Sequence, residues 1–169
     1  MRKVLKAIDA TSDKVGMGAR WLSLLALGLI CAEVFMRYVL NHPTSILPIT
    51  AVMTAASMYA LSWGYVHLNR RHIRVDVLYV HLPNTAKIII DVVCAVLFLL
   101  PLIGLLTYAS WNWVWYAIET GEQSLFSYWY PKVWPVRTAI LLGLVLFGLQ
   151  ALATLYRDMY SLVRHKSYD

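Results

Sequence analysis

The sequence predicts an all-α membrane protein with four transmembrane helices, short amphipathic surface helices and both termini in the cytoplasm. Three observations carry this. Four long apolar stretches, at residues 21–40, 46–68, 88–111 and 133–156, are separated by short polar breaks. The 169-residue chain is 60% hydrophobic, with a mean hydropathy of +0.59 and only 14% charged residues. Its basic residues are unevenly placed along the chain. At a rise of about 1.5 Å per residue, each stretch is long enough to cross a hydrocarbon layer about 30 Å thick. A water-soluble domain of this size would carry more charge. The length fits a single integral membrane domain over residues 1–169, and the short loops leave no room for a catalytic domain outside the bilayer.

Residues 1–20 are polar and basic, with Leu5, Ile8, Val15 and Met17 placed as on a helix lying partly on the membrane surface. The apolar run that follows is long for a signal peptide and lacks a small-x-small cleavage site, so an uncleaved anchor is expected. Asn41, His42 and Pro43 end the first span. The loop NHPTSILP is so short that the first two spans must form a tight antiparallel hairpin. In the second span Ala56, Ala60 and Gly64 recur every fourth position and share one helix face. Such a face lets another backbone approach closely in lipid.

The stretch NRRHIRVDVLYVHLP then alternates charges with Ile73, Val75, Val77 and Leu78, the pattern of a short amphipathic surface helix that ends before Pro83. The third span has Asp91 near its start and Pro101 near its middle, where a proline removes a backbone hydrogen bond and kinks a helix. Five of the seven tryptophans fall between residues 111 and 134, as in an aromatic belt at a membrane–water interface. The loop that follows carries Glu119, Glu122 and Lys132, and the fourth span holds Gly143, Gly148 and Gln150.

Charge placement argues against a nucleic-acid partner in spite of the net +6. With four spans, Arg2, Lys3, Lys6, Lys14 and Arg20 share one side of the membrane with Arg70, Arg71, Arg74 and Lys87 and with Arg157, Arg164 and Lys166. The other side has only Arg37, Lys132 and Arg137. The positive-inside rule puts the basic side in the cytoplasm, where it would meet anionic headgroups. Phospholipids are therefore expected partners.

Polar residues within the spans are the candidates for function. Glu33 and Arg37 are one helical turn apart and close enough to pair. Glu33 is either a proton- or ion-coupling carboxylate or half of a pair holding a helix contact; the second is favoured because Arg37 can reach the headgroups. Asp91 either acts within the membrane or sits at headgroup level beside Lys87. Gln150 is expected to bond between helices. Cys31 and Cys94, without CxxC spacing, are expected to be buried free thiols. A haem would need facing histidines in two spans, and only His67 lies near a span, at its end. No metal-ligand spacing, nucleophile–base pattern or glycine-rich phosphate loop is seen, so no enzyme and no cofactor in this chain are expected.

The block His72-Ile73-Arg74-Val75-Asp76 after the second span, followed by Leu82-Pro83, resembles the small, DctQ-type membrane subunit of tripartite ATP-independent periplasmic (TRAP) transporters. Arg37, Tyr38 and Asn41 match that family's Arg-Tyr-x-x-Asn, and Gly64 matches its late glycine in the second helix. Gly121, Glu122, Ser124 and Pro135 match its outer loop. One departure stands out. Family members often open the second helix with Trp-x-Glu-Glu, and here the region reads SILPITAVM. Glu33 is the expected replacement counter-charge for Arg37.

The resemblance implies a bacterial inner-membrane subunit with two protein partners. A periplasmic binding protein delivers an organic acid. A large membrane subunit holds the substrate and sodium sites. The small subunit braces that large one. Glu33, Arg37 and Asn41 would then touch the partner or lipid in the outer leaflet. Arg70, Arg71 and Arg74 would grip headgroups, and His72 and Asp76 would fix the cytoplasmic turn. Glu119, Glu122 and Lys132 would be exposed and dock the binding protein. Two rivals are a small four-helix proton-coupled multidrug exporter and a membrane assembly factor without transport. Against the exporter, an arginine one turn from the glutamate would stabilise the carboxylate and impair proton exchange.

Overall fold

The structure is a computed structural model that describes residues 2–69, 83–124, 129 and 131–164. Helix α1 spans Arg2–Tyr38 and α2 spans Ile46–Leu68. Helix α3, Asn84–Cys94, runs through a π-helical turn at Ala95–Leu99 into α4, Leu100–Glu119. Helix α5 spans Trp134–Arg164. Among the described residues, four helical units are long and apolar enough to cross a membrane: α1, α2, the continuous unit from Ala86 to Glu119, and α5. The protein is thus an all-α, multi-pass membrane protein. The expected surface helix after α2 lies outside the described residues.

The polar segment before the first span is helical, as its pattern suggests, and continues into that span without a break. At 37 residues α1 is about 55 Å long, nearly twice the hydrocarbon thickness, so it must tilt or project. The helices of the third and fourth spans likewise run past the apolar limits read from the sequence, to Glu119 and Arg164.

The helices pack as a series of neighbours. The tight hairpin brings α1 against α2, α2 packs against α5, and α4 packs against α5. Helix α1 meets α5 in a smaller contact. Helix α5 is therefore central, and α4 is covered mainly on one side. Ile103, Val114 and Ala117 form its buried stripe, while Leu102, Leu105, Tyr108, Trp111, Trp113 and Trp115 are exposed. In water such a surface would aggregate; in lipid it is solvated.

Small residues dominate the described core: Ala19, Ala26, Ala51, Ala60, Ala117, Ala151 and Ala153 are buried, beside Leu5, Ile103, Val114 and Leu144. This is how helices associate where tails and side chains are equally apolar, through close backbone contact. Gly143 is required by it, because a Cβ there would collide with the Ala60 carbonyl. A Cβ at Gly16 would collide with the Tyr65 side chain. The hydroxyls of Thr50, Thr54, Ser57 and Ser62 in α2 each donate to the carbonyl four residues back, at 2.7–2.8 Å. Those polar groups are satisfied within their own helix.

Pro101 cannot donate to the carbonyl one α-turn back. The chain answers with the π turn just before it, where the Leu100 N–H reaches the Ala95 carbonyl. Cys31 and Cys94 are free, as expected, but both are exposed rather than buried. They lie on helix faces that no neighbouring helix covers, where a thiol behaves as a small apolar group toward lipid.

Candidate functional site

Three polar assemblies stand out among the described residues. The first lies where α1 turns into α2. Arg37 Nη2 donates to Glu33 Oε1 at 2.8 Å and Arg37 Nε to the same oxygen at 3.3 Å. The other carboxylate oxygen, Oε2, accepts from the Thr44 hydroxyl and from the Thr44 N–H at 3.3 Å. Glu33 is buried, while the Arg37 side chain is half exposed. The carboxylate thus joins the end of α1 to the start of the loop, and the expected pairing of Glu33 with Arg37 is present. Asn41 has a φ of 50°, the left-handed conformation that asparagine tolerates better than most residues. This reversal lets the His42 N–H donate to the Met36 carbonyl at 2.9 Å. Asn41 therefore shapes the turn beside the pair.

The second assembly is at the opposite end, where the chain begins and α5 finishes. The Arg157 guanidinium binds the Asp9 carboxylate through both oxygens. Gln150 Nε2 donates to Asp9 Oδ1 at 2.9 Å, and Gln150 Oε1 accepts from the Ser12 hydroxyl at 3.0 Å. Gln150 is 0% exposed and Ser12 1%. Both ends of the Gln150 amide are engaged, which is what makes its burial tolerable. Gly64 of α2 borders the same place: a Cβ there would lie 3.4 Å from the Ser12 hydroxyl and 3.5 Å from the Leu146 backbone. Three helices meet at this point.

The third assembly closes the loop between α4 and α5. Gly121 (φ 62°) ends α4, and the Glu122 N–H donates back to the Ala117 carbonyl at 3.2 Å, a Schellman cap. Gln123 and Lys132 pair as an antiparallel bridge, and the Ser124 N–H donates to the Pro131 carbonyl at 2.8 Å. Arg137, in the first turn of α5, pairs with Glu122 at 2.7 Å and donates to the Trp113 carbonyl at 3.1 Å. Its guanidinium carbon also lies 5.4 Å from the centroid of the Trp113 ring. Glu119 and Lys132 are exposed. Glu122 is not, because Arg137 draws it into the fold; its surroundings are half-buried.

Of the residues singled out from the sequence, the structure brings Glu33 and Arg37 together with Asn41 nearby. Ala60 and Gly64 are buried against α5 and Ala56 is half-buried, so this small-residue face serves packing inside the chain. Arg70, Arg71, His72, Arg74 and Asp76 lie outside the described residues. Sequence reasoning missed Asp9, Ser12, Thr44, Arg137 and Arg157. A signal existed for three of them. Asp9 and Ser12 are three apart, and Gln150 and Arg157 are seven apart, so each pair shares a helix face.

Nothing among the curated proteins or the solved structures matches the chain. One family profile does match: tripartite ATP-independent periplasmic transporters, DctQ component, over residues 26–160. That range holds the first polar assembly, the third, and the Gln150 and Arg157 half of the second. The chain belongs to the DctQ family, the small membrane component of TRAP transporters, and is a transporter subunit rather than an enzyme.

Proposed function

We propose that this chain is the small permease subunit that braces the large membrane subunit of a TRAP transporter during sodium-driven uptake of an organic acid. A periplasmic binding protein delivers the acid. The observation that carries the reading is how the polar side chains of the helices are used. Glu33, Asp9, Ser12 and Gln150 are each committed to contacts between segments of the chain itself. The sodium and substrate sites belong to the large subunit in this reading. In this chain α5 is the centre of the packing and the broad apolar surface of α4 is turned outward. That is the form of a scaffold that widens another protein's footprint in the bilayer.

The termini face the cytoplasm of a bacterial inner membrane, following the uneven basic residues. Glu33, Arg37 and Asn41 then lie at the periplasmic end, where the half-exposed Arg37 meets the large subunit or a headgroup. Glu119 and Lys132, exposed on the same side, form the surface on which the binding protein docks. Arg70, Arg71 and Arg74 grip inner-leaflet headgroups, and His72 and Asp76 fix the turn there. The rival reading as a proton-coupled exporter needs a carboxylate that exchanges protons freely. Glu33 instead has Arg37 on one oxygen and Thr44 on the other.

The test is reconstitution. Vesicles with both membrane subunits, supplied with the binding protein, should accumulate an organic acid under an inward sodium gradient. Vesicles holding this chain alone should not. Efflux of a lipophilic cation driven by a pH gradient through this chain alone would overturn the reading.

A further inference from the structure

The first turns of α1 and the middle of α5 do not close on each other. They leave an open groove of about 360 Å³, within the size range of small-molecule sites. Val4, Ala7 and Ile8 form one wall and Leu146 and Leu149 the other. Thr11 also borders it, but its hydroxyl donates to the Ala7 carbonyl at 2.8 Å, so it adds no free donor. Lys3 is the charged residue of the lining. Lys6, three residues further on, is its neighbour on the helix surface. The nearest acid along the helix, Asp9, is engaged by Arg157 and Gln150. The groove is therefore apolar along its length and positive at its rim.

We propose that this groove is a binding site for one anionic phospholipid, with an acyl chain along the Leu146–Leu149 wall and the phosphate on Lys3. Charge complementarity selects that occupant. A second copy of this chain, with its net charge of +6, would bring more positive charge to a positive rim. A zwitterionic lipid would fill the walls but gain little from the lysine. The site rests on the orientation proposed above in one respect: that orientation turns the groove to the inner leaflet, where anionic lipids are enriched. Bound there, a lipid would fill the wedge between α1 and α5 and support the Asp9–Arg157 contact from the side.

The experiment uses the full chain in nanodiscs of mixed phosphatidylethanolamine and phosphatidylglycerol, released into mild detergent for native mass spectrometry. One phosphatidylglycerol should stay bound in preference to phosphatidylethanolamine. Lys3→Gln should lower that preference about fivefold, the worth of one basic residue near a headgroup. Ala7→Trp, which puts an indole in the groove, should lose the retained lipid of either kind, with helix content by circular dichroism unchanged. A photoreactive group at Leu149 should capture phospholipid. Equal retention of both lipids by all three proteins would overturn the proposal. So would capture of a second copy, or of the large subunit in the assembled complex, at Leu149. Labelling of the N-terminus from either side of the membrane reads the orientation separately, so its failure is distinguishable from failure of the lipid site.

Discussion

The Ser12 hydroxyl donates to the Gln150 carbonyl oxygen at 3.0 Å across 138 positions of sequence, and neither residue is exposed. This bond belongs to the network that ties the start of the chain to its last helix. Gln150→Leu removes it and the bond to Asp9. A loss of about 1 kcal/mol is expected, the scale of polar contacts between membrane helices, read as a lower thermal midpoint in detergent. Asp9→Leu should cost more, about 1–3 kcal/mol, because it strips a charged partner from the largely buried Arg157. Adding Arg157→Leu to Asp9→Leu should cost less than the sum of the two single changes. Strict additivity would show that the pair does not interact.

Glu33 contributes through both carboxylate oxygens, and they can be separated. Glu33→Gln keeps an acceptor for Thr44 and loses the charge facing Arg37, while Glu33→Ala loses both. The alanine variant should be the less stable, with Thr44→Val falling between it and the wild type. Exchanging the charges at Glu33 and Arg37 should restore assembly with the large subunit that either single reversal loses, measured by copurification. No rescue in the exchanged variant would count against a role for the pair in assembly.

The glycines divide into two groups that should respond oppositely. Gly143→Leu must push α5 away from the Ala60 backbone, and overpacking of this kind costs about 1–3 kcal/mol or more. At Gly18, Gly28 and Gly104 a Cβ would have no neighbour within 4 Å, so alanine there should raise stability by about 0.5–1 kcal/mol through helix propensity. If one of these alanines stabilises the chain alone yet weakens copurification with the large subunit, that glycine marks the face where the two proteins meet.

Arg137 anchors the loop between α4 and α5 by three interactions: the ion pair with Glu122, the Trp113 carbonyl and the Trp113 ring. Arg137→Gln should therefore speed proteolysis between residues 120 and 133 more than Glu122→Gln does, with little change in global thermal stability. Equal rates in the two variants would mean that the Trp113 contacts add nothing.

The four spans and the α1–α2 hairpin were legible because apolar length and loop length are local properties of a sequence. The Glu33–Arg37 pair was legible for the same reason, being one turn apart. The Thr44 contact was hidden, since it depends on how Asn41 reverses the chain. Asp9 and Ser12 were hidden more deeply. Hydropathy sets them outside the first span, and only the uninterrupted length of α1 carries them to α5. The stripe Ala56, Ala60, Gly64 could be read from spacing, but its partner Gly143 could not, because spacing shows a face and not what lies against it. The thiols were misplaced for a related reason. An apolar run shows that a residue is away from water, and in a bilayer that includes positions facing hydrocarbon.

The π turn at Ala95–Leu99 has a consequence for how the third span is drawn. A wider turn takes up one residue more than an α turn, which offsets the angular phase of everything beyond it by about 100°. A single helical wheel for residues 84–119 therefore assigns sides wrongly past the turn. Deleting one residue from the widened segment should close it to an ordinary α turn and leave Ile103, Val114 and Ala117 against α5.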